Sequence, residues 1–97
     1  KKYGIPSESA ITNDDTKARI AKLYIKGEDS MGILMHILKI ICDEHKINIR
    51  DLHVTSDGPF FHCEIELVIY KQKVVSQTCM KLRELPNVTA VNIVEIN

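Results

Sequence analysis

The 97 residues suffice for one domain with a single modest core, and 44% hydrophobic with 27% charged residues is the balance of an ordinary globular chain. Thirteen basic residues offset thirteen acidic ones, so no overall field would attract nucleic acid or an anionic membrane. No apolar run approaches the ~20 residues that a membrane span requires.

The composition changes along the chain. Residues 1–17 are rich in Gly, Pro, Ser, Asn and Asp, which predicts a linker from upstream domains, with the folded domain over 18–97. The chain starts without Met or an apolar leader, so we expect it to be a segment of a longer protein. Cys42, Cys63 and Cys79 are odd in number and form no CxxC pair. This pattern favours a reducing, cytoplasmic setting with buried structural thiols.

The first half of the domain predicts a strand followed by a helix. Apolar and polar residues alternate from 19 to 26, which is the period of a half-buried strand. Asp29 or Ser30 then offers a helix N-cap. An apolar stripe at helical spacing predicts a helix over 31–46. The stripe consists of Met31, Leu34, Ile37, Leu38 and Ile41.

Residues 47–56 predict a second strand whose pattern is interrupted. Its apolar residues stand at odd-numbered positions up to Ile49 and at even-numbered positions from Leu52 onward. A strict strand would place these two groups on opposite faces. We therefore predict a bulge near Arg50 and Asp51.

The second half predicts a hairpin, a helix and a last strand. An Asp-Gly-Pro turn signal stands at 57–59, and 60–70 alternates most clearly of all. Helical spacing over 75–85 predicts a helix that Pro86 ends. The β-branched residues of 88–96 predict the last strand.

This order of elements predicts an α+β fold of the ferredoxin-like βαββαβ type. Its four-stranded antiparallel sheet would carry two helices on one face. The first and third strands would be neighbours, and the second strand would lie at an edge. Lysines and glutamates would pair across the uncovered face, which is either solvated or a docking face for another domain of the parent protein.

The sequence contains no combination of residues that would support catalysis. Its four histidines are spread over the first helix and the second and third strands without metal-ligand spacing, and neither phosphate-binding glycine pattern occurs. We therefore assign no catalytic residue, no metal and no cofactor to the fragment. RNA binding by the open face is disfavoured because Glu64 and Glu66 lie on it and repel phosphates.

Three short stretches resemble the ACT domain family. Residues 27–34, Gly-Glu-Asp-Ser-Met-Gly-Ile-Leu, are similar to its Asp-x-x-Gly-hydrophobic-Leu signature between the first strand and the first helix. Residues 47–49 and 85–88 resemble the openings of its second and fourth strands. The resemblance covers about 19–96 and looks closest to the ACT domain at the C-terminus of RelA/SpoT-type GTP pyrophosphokinases.

That resemblance implies the regulatory tail of an enzyme that makes, and often also hydrolyses, (p)ppGpp. The synthetase and hydrolase domains would lie upstream, so the fragment itself would not be an enzyme. In that family the tail conveys nutritional state through ribosome, tRNA and intramolecular contacts. The alternative is an amino-acid-binding ACT domain that gives feedback control of an amino-acid biosynthetic enzyme.

The resemblance also implies a ligand site shared by two copies of the chain. The loop formed by Asp29, Ser30, Met31 and Gly32 would face Asn48 of the partner. Asp29 would meet the ammonium group of an amino acid, and the Met31-Gly32 backbone would meet its carboxylate. Independently of the family, a glycine before a helix lets a ligand approach free N–H donors. The alternative is that Asp29 only caps the helix and Gly32 only allows close packing.

A homodimer is expected from the position of the second strand. An unprotected edge strand invites pairing. Arg50 and Asp51, beside Leu52, would form reciprocal pairs across a two-fold axis. The bulge predicted at the same place would blunt that edge.

Overall fold

The computed structural model describes residues 17–96, so the predicted linker lies almost wholly outside the described residues. The elements are β1 (Arg19–Glu28), α1 (Ile33–Leu38) continued by a π-helical turn (Lys39–Glu44), β2 (Asn48–Asp57), β3 (Phe60–Ile69), α2 (Gln72–Arg83) and β4 (Val88–Glu95). The four strands form one antiparallel sheet in the order β2-β3-β1-β4. This arrangement confirms the ferredoxin-like fold. No helix between residues 17 and 96 is long and apolar enough to cross a membrane.

The central strands β1 and β3 form the middle of the sheet. They pair over their whole length, from Arg19 opposite Ile69 to Glu28 opposite Phe60. Alternate residues of both strands are buried under the helices, as the alternation predicts. These buried residues are Ala21, Leu23 and Ile25 of β1 and Phe61, Cys63, Ile65, Leu67 and Ile69 of β3.

The first helix differs from the prediction at its start and along its length. Met31 is fully exposed, and Ile33 takes its place in the core beside Ile37. After α1 the backbone widens, and the N–H of His45 donates to the carbonyl of Ile40 at 3.1 Å, five residues earlier. Ile40 is buried as well as the predicted Ile41, because the buried stripe follows the helical spacing that starts at Ile33 and not at Met31.

The predicted bulge in β2 is confirmed. Ile49 lies opposite Leu67, whereas Asp51 lies opposite Glu66, so Arg50 is the extra residue. The extra residue reverses the parity of the strand. The apolar residues before and after the bulge therefore face the same, helix-bearing side of the sheet.

The three cysteines differ in their exposure to solvent. Cys63 and Cys79 are buried, whereas Cys42 is exposed, so the prediction of a buried thiol is wrong for Cys42. Cys42 lies off the buried stripe of the first helix. Burial, with a smaller contribution from Glu64, raises the pKa of the Cys63 thiol from 9.0 to about 11. The thiol of Cys63 is therefore held in its protonated, unreactive form.

Gly27 is packed beneath the loop that precedes β4. The N–H of Glu28 donates to the carbonyl of Asn87 at 2.7 Å, and the register of β1 with β4 shifts between Lys26 and Gly27. A Cβ at position 27 would overlap that carbonyl oxygen and press on the Phe61 ring. The close approach of two backbones is what requires a glycine here.

We expect Gly27→Ala to lower the free energy of unfolding by about 2 kcal/mol, because the carbonyl it meets belongs to the backbone and cannot rotate away. Urea unfolding measures this change. Ser76→Ala, on the exposed side of α2, is the control and should leave the midpoint nearly unchanged. An unfolding midpoint for Gly27→Ala equal to that of the control would contradict the packing described here.

Candidate functional site

The loop between β1 and α1 is held against the β2–β3 hairpin. The N–H of Asp29 donates to the carbonyl of Pro59 at 2.8 Å. Gly32, with φ 80° and ψ 0°, is the residue that precedes the helix, and no side chain caps α1. The prediction that Asp29 or Ser30 caps the helix is therefore wrong. The left-handed conformation explains the choice of residue, since glycine adopts it without the steric cost of a Cβ.

The loop presents its side chains to solvent. Asp29 and Met31 are exposed, and Ser30 is half-buried. A Cβ placed on Gly32 would meet nothing within 4 Å, so close packing inside one copy does not explain the glycine. Within one copy, Asp29 caps nothing, and the left-handed conformation of Gly32, not close packing, accounts for the glycine.

Asn48 lies far from this loop in the same copy. It pairs with Val68, which pairs with Ile20, whereas the loop follows Glu28 at the other end of β1. Glu28 lies eight residues after Ile20 along β1, and eight residues of strand span about 26 Å. The structure therefore does not bring Asn48 to Asp29 within one copy.

The strand that carries Asn48 has a free outer edge and is largely exposed, although Ile49 packs against the core. Nine of its ten residues are exposed, and its outer edge has no partner strand among residues 17–96. Asp51 and Leu52 are exposed, with 37% of Leu52 accessible. Arg50 is engaged by its own sheet, since its Nε lies 3.5 Å from Oε1 of Glu66.

An apolar groove of about 660 Å³ runs between the first helix and β2, from Gly32 to Leu52. Its apolar lining is Met35, Leu38, Cys42, Ile49 and Leu52, and its polar rim is His36, Lys39 and Asp43. Sequence reasoning did not identify this groove. The available signal is that Met35 adds an apolar residue to α1 outside the stripe that one core can bury.

The open face of the sheet is mostly polar. Nζ of Lys22 lies 3.7 Å from Oε1 of Glu64, which confirms the predicted pairing between β1 and β3. Nε2 of His62 lies 3.8 Å from Oδ2 of Asp57. These partly exposed pairs contribute little to stability. Among the residues from Lys17 to Ile96, no three His, Cys, Asp or Glu side chains are grouped so as to hold a metal ion.

Comparison with known proteins gives a family match and several fold matches. A sequence model of the ACT domain family matches residues 15–92. The fold is similar to the crystal structure of the ACT domain from the GTP pyrophosphokinase of Chlorobium tepidum, with a TM-score of 0.72 and 23% identity over 80% of this chain and 100% of that one. It is also similar to a homoserine dehydrogenase from Thiobacillus denitrificans, with a TM-score of 0.72 and 17% identity over 94% of this chain and 20% of that one. At these identities the likeness shows the fold alone, and no curated protein matches the chain.

We expect Asp29→Ala to change the free energy of unfolding by less than about 0.5 kcal/mol, because its carboxylate caps nothing. Gly32→Ala should lower the free energy of unfolding by about 1 kcal/mol, because alanine must enter the left-handed region. Urea unfolding of the two variants tests both expectations. A loss of about 1 kcal/mol or more for Asp29→Ala would show that Asp29 caps the helix in solution.

Proposed function

The chain belongs to the ACT domain family, and we propose that it is the C-terminal regulatory domain of a RelA/SpoT-type GTP pyrophosphokinase. In this role it senses or relays nutritional state to upstream domains that make or hydrolyse (p)ppGpp, in a cytoplasmic enzyme whose whole chain contacts ribosome and tRNA. The fold match to the complete Chlorobium ACT domain supports this proposal. A contact between two of the stretches that resemble the ACT family also supports it, since the N–H of Glu28 donates a hydrogen bond to the carbonyl of Asn87.

One observation carries the regulatory reading, namely that the two halves of the candidate site lie at opposite ends of an uncovered edge strand. Two copies of β2 paired antiparallel about a two-fold axis near Leu52 would place Asn48 of one copy beside Asp57 of the other. Asp57 ends β2 at the hairpin that holds the loop of Asp29. Pairing would therefore complete a site that one copy holds only in part.

The apolar groove supports the same pairing. Leu52 and Val54 are 37% and 45% exposed on the helix-bearing face of β2. A second copy that continues the sheet would bring its own first helix and β2 against this face. Removal of this apolar surface from water favours association. Pairing of the exposed strand edges would fix the orientation of the two copies relative to each other.

The ligand proposed for the completed site is an amino acid. Its ammonium group would meet Asp29, its carboxylate would meet the backbone of Met31 and Gly32 beside Ser30, and Asn48 of the partner copy would close the cage. Gly32 supports this arrangement because its exposed backbone carries no side chain that would hold a ligand away. Binding across two copies would couple ligand concentration to their association.

A second candidate function is an amino-acid-binding ACT domain that gives feedback control of a biosynthetic enzyme. The observation that favours it is the fold match to the homoserine dehydrogenase, which covers 94% of this chain. The two candidates share the site and differ in the parent enzyme. The sequence upstream of this chain separates them, because the first requires a nucleotidyl-synthetase domain there.

We expect one or a few of the twenty amino acids, at millimolar concentration, to raise the melting midpoint of the 97-residue chain by several degrees. A ligand at ~100 times its dissociation constant stabilises the fold by about 2.7 kcal/mol. Asp29→Ala should abolish the shift without lowering the midpoint of the unliganded chain. Glu28→Ala, the exposed neighbour, is the matched control and should keep the shift. If no amino acid moves the midpoint, the amino-acid site is wrong.

We expect sedimentation equilibrium to detect a dimer of the chain. Leu52→Lys should raise the dissociation constant of this dimer at least tenfold, because the substitution places a charge in the apolar groove. Thr55→Lys is the matched control, since Thr55 lies on the same strand but pairs with His62 on the open face. Equal dissociation constants for the two variants would rule out pairing through this side of β2.

A further inference from the structure

A contiguous apolar patch lies on the open face of the sheet at the end where β1 begins, and we name it the entry patch. It consists of Ile20, Val68, Val94 and Ile96. Ile20 pairs with Val68, and the N–H of Ile96 donates to the carbonyl of Ile20 at 2.9 Å. The patch therefore spans the three neighbouring strands β3, β1 and β4.

The entry patch leaves a large part of its apolar surface in contact with water. Val94 is 51% exposed and Ile96 is 48% exposed, whereas Ile20 and Val68 are half-buried. The side chains of Lys22 and Glu64, which form an ion pair, lie next to the patch on the same face. Single exposed apolar residues are ordinary, but a contiguous group beside a polar face marks an interaction surface.

We propose that the stretch of this chain that precedes β1, residues 1–16, docks on the entry patch. The sequence of this stretch contains the apolar residues Tyr3, Ile5, Ala10 and Ile11. The nine residues from Ile11 to Ile20 span up to about 30 Å, whereas neighbouring strands lie only about 4.8 Å apart. Ile11 therefore reaches every part of the patch.

Covalent attachment favours this occupant over a separate molecule. The stretch enters β1 at Arg19, directly beside Ile20, so its effective concentration at the patch is of millimolar order. Docking at this point would connect whatever precedes the domain to the face of the sheet opposite the helices and the groove.

A double-mutant cycle in the complete 97-residue chain tests the docking. The segment variant carries Ile5→Ser and Ile11→Ser, and the patch variant carries Val94→Thr and Ile96→Thr. We expect each variant to lower the melting midpoint by about 4 °C, and the combination to lower it no further than either variant alone. Met80→Gln on α2, where Met80 is 62% exposed, is the control and should add independently to the segment variant.

Two outcomes would overturn the proposal. One is strict additivity of the segment and patch variants, which would mean that the two sets of residues do not touch. The other is a change in sedimentation mass for the patch variant but not for the segment variant, which would assign the patch to a second copy. Amide resonances of Val68, Val94 and Ile96 that move in the segment variant, with those of α2 unmoved, would support the docking directly.

Discussion

The uncovered edge strand is the constraint on which the rest of this domain depends. Two helices can cover only part of a four-stranded sheet, and here the core lies over β1 and β3. The strand β2 has no partner strand on its outer edge among residues 17–96, and nine of its ten residues are exposed, while Ile49 packs against the core. An apolar groove beside such an edge is costly in isolation and favourable once a second copy lies against it. The proposed ligand site depends on such association, because Asn48 and the loop of Asp29 lie about 26 Å apart in one copy.

Much of the fold followed from the periodicity of the sequence. The alternation in β1 and β3, the helical spacing of α2 and the parity change around Arg50 each reflect a geometric requirement that a single chain must satisfy to bury its apolar residues. The start of α1 did not follow. Asp29 and Ser30 have the chemistry of an N-cap, but the tight turn demanded a left-handed residue, and Gly32 met that demand. Preference for a capping side chain yields to backbone geometry at such a turn.

The sequence suggests the parts of the candidate site and not their arrangement. The resemblance to the ACT family implies Asp29, Gly32 and Asn48 as a set, whereas their separation within one copy appears only in the register of the sheet. The groove was hidden for a related reason. Met35, Leu38 and Cys42 recur at helical spacing outside the buried stripe, but only the tertiary structure shows that a groove against β2 lies beside them.

Paramagnetic relaxation enhancement between two copies is the most direct test of a ligand site shared across β2. A nitroxide on Asn48→Cys in a Cys42→Ser chain, mixed with an equal amount of ¹⁵N-labelled chain, reports only contacts between copies. Cys63 and Cys79 are buried and stay unlabelled. Pairing through β2 predicts broadening of the amide signals of Asp29 and neighbouring loop residues in the labelled copy. Sharp signals throughout that loop, in a sample that sediments as a dimer, would contradict a site shared across β2.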